Sequence, residues 1–506
     1  MCMDNHLKTI PASLDSTVAT RTFDNVRSNG RQINWWLVAG DAFGLAIAWL
    51  VSFAVLWLVE ERTWLKSMAD WFIAHGRIPI ALVVVPFALS LLTFGMRGHY
   101  TRRRPLTDEI LDIFKVFLVV AVLDGVFAYL AKWYFSRSWF VMAWVLTFLL
   151  VPCIRAGIKL ILIRAHRWQR ATVILGAGKN AREAAEALDA EPFMGLEIKA
   201  FLVPPGEDAL VQVLEVKNKK IPVLPLGIDP DKTLESLGSP QLVVALESES
   251  VLPHQRLLQR LLARYGDLRV IPPLRGLPLY GMEITHFFSH EVLMLSMRNN
   301  LARPGPQLLK RIFDLLGSLL LLVLLAPLFA YLSWKIRQSG SKAVFGHERI
   351  GRHGKRFQCL KFRTMVPDAD RALIALLESD PRAREEWEQG FKLKNDPRVT
   401  PVGDFLRRTS LDELPQLWNV LKGDMSLVGP RPIIEEELGR YGDQVGYYLE
   451  TRPGITGLWQ ISGRNDTGYE DRVSLDSWYV RNWSLWYDFV VLLKTVRVVW
   501  RREGAY

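Results

Sequence analysis

The sequence predicts a membrane protein of mixed α and α/β class. Its parts are an N-terminal four-helix transmembrane bundle, a Rossmann-like cytosolic domain, a re-entrant membrane helix and a small C-terminal α/β domain. Three observations carry this. Four long apolar stretches fill the first third of the chain. A strand, a glycine turn and a helix follow one another from Ala171. A later apolar run, Leu315 to Trp334, is basic on both flanks. The expected divisions are a disordered polar tail (1–30), the four helices (31–165), the Rossmann-like domain (166–300), the re-entrant helix (305–340) and the C-terminal domain with interfacial helices (341–506).

The four stretches lie near Trp35 to Val59, Ile78 to Met96, Ile113 to Phe135 and Trp139 to Leu162. Each approaches the roughly 20 residues that a spanning helix needs. Arg21, Arg27 and Arg31 precede the first, Arg97 and Arg102 to Arg104 follow the second, and Arg164, Arg167 and Arg170 follow the fourth. The remaining connections are weakly basic or mixed. Basic loops stay in the cytoplasm, so the N-terminus and everything beyond residue 163 are expected there, in a multi-pass membrane protein. The apolar region comes too late for a secretory signal peptide.

From Arg170 the texture becomes that of a soluble α/β domain. Ala171 to Leu175 reads as a buried strand, and Gly176, Gly178 and Ala181 form a GxGxxA turn into a helix over Ala181 to Leu188. Further strands are expected at Ile198 to Val203, Gln241 to Ala245 and Leu268 to Ile271, with a helix at Pro253 to Tyr265. A dinucleotide site would want an acid closing the second strand, and that strand runs instead into Val203-Pro204-Pro205. The turn is read as structural or as a regulatory ligand site, with no cofactor assigned to it.

Leu315 to Trp334 is long enough to span, yet Lys310 and Arg311 precede it and Lys335, Arg337 and Lys342 follow. Both ends therefore favour the cytoplasmic face. Pro327 lies inside, where it removes a backbone donor and clashes with the preceding turn. A helix that enters one leaflet, bends at Ala326-Pro327 and returns meets both conditions, a kinked spanning helix being the other reading. Beyond it, Arg349 to Met365 reads as a hairpin about His353-Gly354, and Asp368 to Lys394 as a solvated or interfacial helix.

The composition agrees with a membrane setting. Hydrophobic residues are 50% of 506, tryptophan numbers 18, and the net charge is +11. With no nucleic-acid module visible, that charge favours lipid headgroups over nucleic acid. Three scattered cysteines give neither a disulfide framework nor a metal spacing.

The chemistry concentrates between Arg407 and Arg431. Asp412 and Glu413 stand just before a helix expected to end near Lys422-Gly423, a position where a carboxylate satisfies free N–H groups. Ser426 to Pro432 (SLVGPRP) is a Gly-Pro loop presenting Arg431, a fork of donors suited to phosphate. Four strings, Lys361 to Met365 (KFRTM), Thr409 to Gln416 (TSLDELPQ), Ser426 to Pro432 and Pro453 to Arg464 (PGITGLWQISGR), occur in an order that resembles the catalytic domain of the monotopic polyprenyl-phosphate phosphoglycosyl transferases. The longer chain resembles their large bacterial subgroup.

That resemblance implies transfer of hexose-1-phosphate, by preference galactose-1-phosphate, from a UDP-sugar to undecaprenyl phosphate, with release of UMP and Mg²⁺ as cofactor. It implies Asp412 as the nucleophile, Glu413 as metal ligand or proton-transfer partner, and a Rossmann-like module that does not catalyse, with oligomerisation as its expected role and a homodimer as the expected state. Arg407, Arg431 and Arg464, with Lys361 and Arg363 behind them, are assigned to phosphate or nucleotide. Glucose-1-phosphate transfer and a non-catalytic membrane scaffold or sensor are the alternatives. Trp478, Tyr479, Trp483, Trp486 and Tyr487, followed by Lys494, Arg497, Arg501 and Arg502, suit an interfacial helix, domain core being the other reading. Asp476 and Asp488 match acids of the family pattern with no role assigned.

Overall fold

The computed structural model describes residues 34–59, 77–130, 137–379 and 396–501, apart from the segment 463–467 and scattered loop positions. The chain divides into two compact units, Met1–Leu274 and Arg275–Tyr506.

The first unit opens with helices α1 (Trp35–Val59), α2 (Arg77–Met96), α3 (Leu106–Leu130) and α4 (Arg137–Arg164), one on each expected apolar segment. Among the described residues, length and apolar composition mark Trp35–Val55 and Arg137–Arg164 of this unit as able to cross a membrane, with Val83–Met96 as a shorter apolar helix. The third differs from expectation. It starts at Leu106, not Ile113, and so takes Asp108, Glu109 and Asp112 into its first turns. Small residues let α1 and α4 approach closely: a Cβ on Gly40 would come within 2.1 Å of Ile158. Next to this seam the Arg155 guanidinium, wholly buried, reaches Asp41, Glu109 (3.0 Å) and His99 (2.7 Å), while Lys159 pairs with Glu109. Buried charges persist only when paired, and these link α1, α3 and α4 with the turn that follows α2.

A six-stranded sheet follows, in the order β3-β4-β2-β1-β5-β6. Its strands are β1 (Arg170–Leu175), β2 (Leu196–Val203), β3 (Val213–Val216), β4 (Lys219–Pro225), β5 (Gln241–Val244) and β6 (Arg269–Val270), with helices α5 (Lys179–Asp189), α6 (Pro230–Ser236) and α7 (Gln255–Arg264) between them. All pairings are parallel except β3 with β4. Strand β5 is buried along its whole length and β1 beyond Arg170, which is why both read as continuous apolar runs. The β3–β4 hairpin went unrecognised in the sequence: charged Lys217, Lys219 and Lys220 and an internal Pro222 mask it, and Pro is tolerated there because β4 pairs antiparallel near the sheet edge.

The second unit begins with an antiparallel pair, β7 (Glu283–His286) and β8 (Leu293–Ser296). Helix α8 (Pro304–Arg337) comes next, one continuous helix across Pro327, whose missing N–H leaves the carbonyl one turn back without its helical donor. Strands β9 (Val344–Ile350) and β10 (Arg356–Phe362) form the expected hairpin, with His353 at φ 57° and Gly354 at φ 73° in its turn. Helices α9 (Ala369–Ser379), α10 (Pro401–Arg408) and α11 (Gln416–Lys422) follow, then strand β11 (Ser426–Val428), helix α12 (Val445–Glu450), strand β12 (Gly454–Thr456) parallel to β11, and helices α13 (Tyr469–Arg481) and α14 (Leu485–Arg501).

Helix α8 is fastened to this unit at both ends. Near its start the Lys310 ammonium donates to Asp488 (2.7 Å), Tyr479 (3.1 Å) and the Val428 carbonyl (3.0 Å). One turn on, Asp314 accepts from Ser426 Oγ and the Leu427 N–H, both at 3.0 Å. Near its end Leu332 and Ile336 are buried against Ala343, Phe362 and Leu406. Between the anchors Leu319, Leu320, Val323 and Leu324 are exposed. The aromatic residues expected at a membrane boundary split accordingly: Tyr479 and Trp483 are core, holding Asp488 at 2.6 and 3.1 Å, whereas α14 exposes Phe489, Leu493 and Val496.

Candidate active site

The site grows from the run Ser410-Leu411-Asp412-Glu413-Leu414. Ser410 takes a left-handed backbone (φ 55°), an uncommon state for a residue with a side chain, and the chain then makes a 3₁₀ turn over Leu411–Glu413. Leu411 and Leu414, three apart, pack inward with Phe362 and Leu406. Asp412 and Glu413 are left between them on the outer side of the turn, partly exposed. The apolar pair thus fixes where the acids point. Helix α11 then ends as expected, on Gly423 with φ 97°.

Two fastenings bring the basic side chains to the acids. The Asn419 amide of α11 acts as a piece of strand, donating to the Gln358 carbonyl (2.8 Å) and accepting from the Leu360 N–H (3.0 Å). This locks α11 to β10 and sets the Lys361 ammonium 2.7 Å from Glu413 and 3.9 Å from Asp412. On the other side, Thr400 caps α10 by accepting from the Gly403 N–H at 3.0 Å. The helix crosses the end of β10 so closely that a Cβ on Gly403 would lie 2.0 Å from the Thr364 carbonyl. Helix α10 thereby delivers Arg407, whose Nε–H donates to Thr364 Oγ1 at 3.0 Å.

Burial pushes the Asp412 carboxyl up to about 6, against the pull of Lys361 and Arg407 and with the help of Glu413. Desolvation and a like charge disfavour the carboxylate, whereas the cations favour it. An acid poised near neutrality, inside a basic ring, is the kind of group that chemistry uses. The Cys359 thiol beneath is pushed up to about 11 by burial, and it feels Lys361, Glu413, Arg349 and Arg431 together. Those four side chains therefore share one neighbourhood.

Arg431 is exposed, with its guanidinium 5.2 Å from the centre of the Trp459 ring. Its loop is tied from behind: Asp476, buried, accepts from the Tyr441 hydroxyl (2.9 Å) and from the Arg431 backbone N–H. Burial pushes Asp476 up to about 7 despite these bonds. Arg472 lies 5.2 Å from the same Trp459 ring. Arg363 is half-buried, 6.0 Å from the Phe345 ring, with Nε unpartnered. Arg464 lies outside the described residues.

The structure thus brings together Asp412, Glu413, Lys361 and Arg407, and carries Arg431 on a braced loop. Sequence reasoning missed Arg349, Tyr441 and Arg472 and left Asp476 without a role. Only Asp476 carried a signal, an isolated acid in an aromatic helix. Among the described residues, no three His, Cys, Asp or Glu side chains converge as a metal cage. The dyad offers two carboxylates, a donor set that suits Mg²⁺, which takes few protein ligands and fills its shell with phosphate oxygens and water.

Comparison with known proteins follows the same division. The family described as bacterial sugar transferase matches residues 305–502, and one described as a CoA-binding domain matches residues 96–219. The undecaprenyl-phosphate galactose phosphotransferase of Salmonella typhimurium is 46% identical over 430 residues, 84% of this chain and 88% of that protein. The UDP-galactose-lipid carrier transferase of Erwinia amylovora is 46% identical over 411 residues, 81% and 84% of the two chains. The UDP-glucose:undecaprenyl-phosphate glucose-1-phosphate transferase of Escherichia coli is 38% identical over 209 residues, 40% of this chain and 42% of that one.

Proposed function

Because the chain belongs to the bacterial sugar transferases, the polyprenyl-phosphate phosphoglycosyl transferase family, we propose that it moves galactose-1-phosphate from UDP-galactose to undecaprenyl phosphate and releases UMP. The observation that carries this is the Asp412 carboxyl, shifted to about 6 between Lys361, Glu413 and Arg407. Joining two anions requires fixed positive charge and alignment of the reacting atoms. An Asp412 oxygen attacks the phosphorus that bears the sugar, and the bond from that phosphorus to the bridging oxygen breaks. UMP departs, leaving a phosphosugar on Asp412. An oxygen of the lipid phosphate then attacks the same phosphorus, and the Asp412–phosphorus bond breaks to regenerate the carboxylate.

Lys361 and Arg407 hold Asp412 ionised for the attack, and Arg431 on its braced loop meets the phosphates. Asp412 and Glu413 would hold Mg²⁺, which when bound screens the phosphate charges. Galactose is preferred because two relatives bearing that sugar in their names align along more than four-fifths of this chain, whereas the glucose enzyme covers 40%.

The re-entrant reading of α8 is part of the proposal. From Asp314 to Leu332, the inner anchors, the helix rises about 27 Å, short of the roughly 30 Å of hydrocarbon, and both residues are fastened to one unit. A crossing helix would need its anchors on opposite faces. The exposed leucines between them suit a single leaflet. Cysteine labelling beside Lys310 and Lys342 is expected to find both on the cytoplasmic side, and opposite sides would defeat the reading. For the chemistry, UDP-galactose, Mg²⁺ and undecaprenyl phosphate should yield UMP, and labelled donor should leave an adduct on Asp412. Product formed with no such adduct would remove the covalent step.

A further inference from the structure

Open α/β sheets bind ligands outside the carboxyl ends of their strands, where the winding reverses. Here the reversal lies between β1 and β5, and the family described as CoA-binding covers the glycine turn that leads out of β1. A coenzyme A or dinucleotide pyrophosphate would sit on the free N–H groups at the start of α5. The residues present do not fit it. The Asn180 N–H donates to Glu247 Oε1 at 2.5 Å, from the loop that follows β5. A Cβ on Gly178 would lie 2.6 Å from that same oxygen, so the space a glycine turn keeps clear for phosphate is filled. The Asn180 side chain, buried, donates to the Leu246 and Ile271 carbonyls, both at 3.0 Å, and so ties together the ends of β5 and β6. Of the nearby cations, Lys179 is exposed and Arg182 faces Glu186 at 3.5 Å.

We propose that Glu247 is a built-in occupant of this crevice: its carboxylate stands where an anionic ligand's phosphate would, and the module takes neither coenzyme A nor a dinucleotide at the turn. The same contact gives the Gly-rich turn its structural purpose. An internal acid pins α5 to β5 permanently, as a bound phosphate would do conditionally, and its charge repels a second anion.

The test follows amide exchange in the segment 176–190 of the full-length protein, with coenzyme A and inorganic pyrophosphate as probes. A readout confined to that segment is blind to binding at the catalytic domain. In the wild type, neither probe should change the exchange. Glu247→Ala should speed exchange at Asn180 about five- to tenfold, as expected for one lost hydrogen bond, and pyrophosphate should slow it again. Glu247→Gln keeps an acceptor and should remain protected and unresponsive. Slowing of the wild-type segment by coenzyme A would overturn the proposal. So would a Glu247→Ala protein whose segment stays protected or ignores pyrophosphate. Should Glu247→Ala fail to fold, the wild type and Glu247→Gln arms decide alone.

Discussion

Asp412 and Glu247 are both acids at a turn that leads into a helix, one in each compact unit, and the chain treats them oppositely. Glu247 accepts the Asn180 N–H at 2.5 Å and closes its crevice. Asp412 is held between leucines that pack inward and stands 3.9 Å from the nearest ammonium, with a carboxyl raised to about 6. A satisfied carboxylate is a structural part. An incompletely satisfied one among cations stores the electrostatic imbalance that a reaction can use. The difference lies in partners supplied from elsewhere in the fold, and local sequence shows neither set.

The sharpest way to break this comparison is to neutralise each acid in turn. Asp412→Asn should lower turnover by about a thousandfold or more, since a nucleophile has no substitute, while Glu247→Gln should stay within roughly twofold of wild type, the usual reach of a surface change. UMP release reads both. Comparable losses in the two variants would mean that Glu247 is not merely structural.

Lys361 tests the cations. It is the largest influence holding the Asp412 carboxyl down, and Glu413 adds a like charge from the other side. Lys361→Met should cut turnover at neutral pH by roughly ten- to a hundredfold, the range typical of one misplaced proton equilibrium. It should also move the rising limb of the pH–rate profile from about 6 in the wild type to higher pH. A loss of rate with the limb unmoved would make Lys361 a phosphate contact only.

How much of this was legible depended on the range of the interactions. Apolar runs of helix length gave α1, α2 and α4 nearly to the residue, because periodicity and length are local. The hairpin about His353-Gly354 and the α11 stop at Gly423 were legible for the same reason. The dyad stood out through its strings, yet its raised acidity needed Lys361, 51 positions away in sequence terms, to be seen in place. Glu247 accepting from the Asn180 N–H, Asn419 pairing with β10 and Asp476 bracing Arg431 are tertiary contacts that no spacing announces. Pro327 was read as a break, but one helix runs from Pro304 to Arg337 across it, lacking only the bond that proline cannot donate; both ends pack on one unit through Lys310, Asp314, Leu332 and Ile336 instead.

Asp476 gives a smaller effect of the same kind. Its carboxylate takes the Arg431 N–H and the Tyr441 hydroxyl, so it acts on the substrate only through the loop. Asp476→Asn should raise KM for the UDP-sugar about three- to tenfold, one hydrogen bond to a charged group, and change kcat less. Tyr441→Phe should follow in the same direction. A fall in kcat alone would place Asp476 in the chemistry and not behind it.

The smallest effect concerns stability and has the opposite sign. Asp412 has its carboxyl raised in the folded protein, to about 6, from roughly 3.9 when unfolded. The folded state therefore holds this proton more tightly. The stability it contributes is fully present below about pH 4 and is lost as pH rises through about 6, so at pH 8 the ionised acid is a burden to the fold. Asn resembles the protonated form and carries no such burden. Thermal unfolding of full-length Asp412→Asn at pH 8 should exceed wild type by about 1–2 kcal/mol, a few degrees in Tm, after allowance for partial exposure. The gap should close as pH falls below about 4. Glu247→Gln should show no such gain, since its carboxylate is bonded to the Asn180 backbone N–H. Stabilisation of an inactive variant is the mark of a residue held for chemistry at the expense of the fold, and equal curves at pH 8 would deny Asp412 that strain.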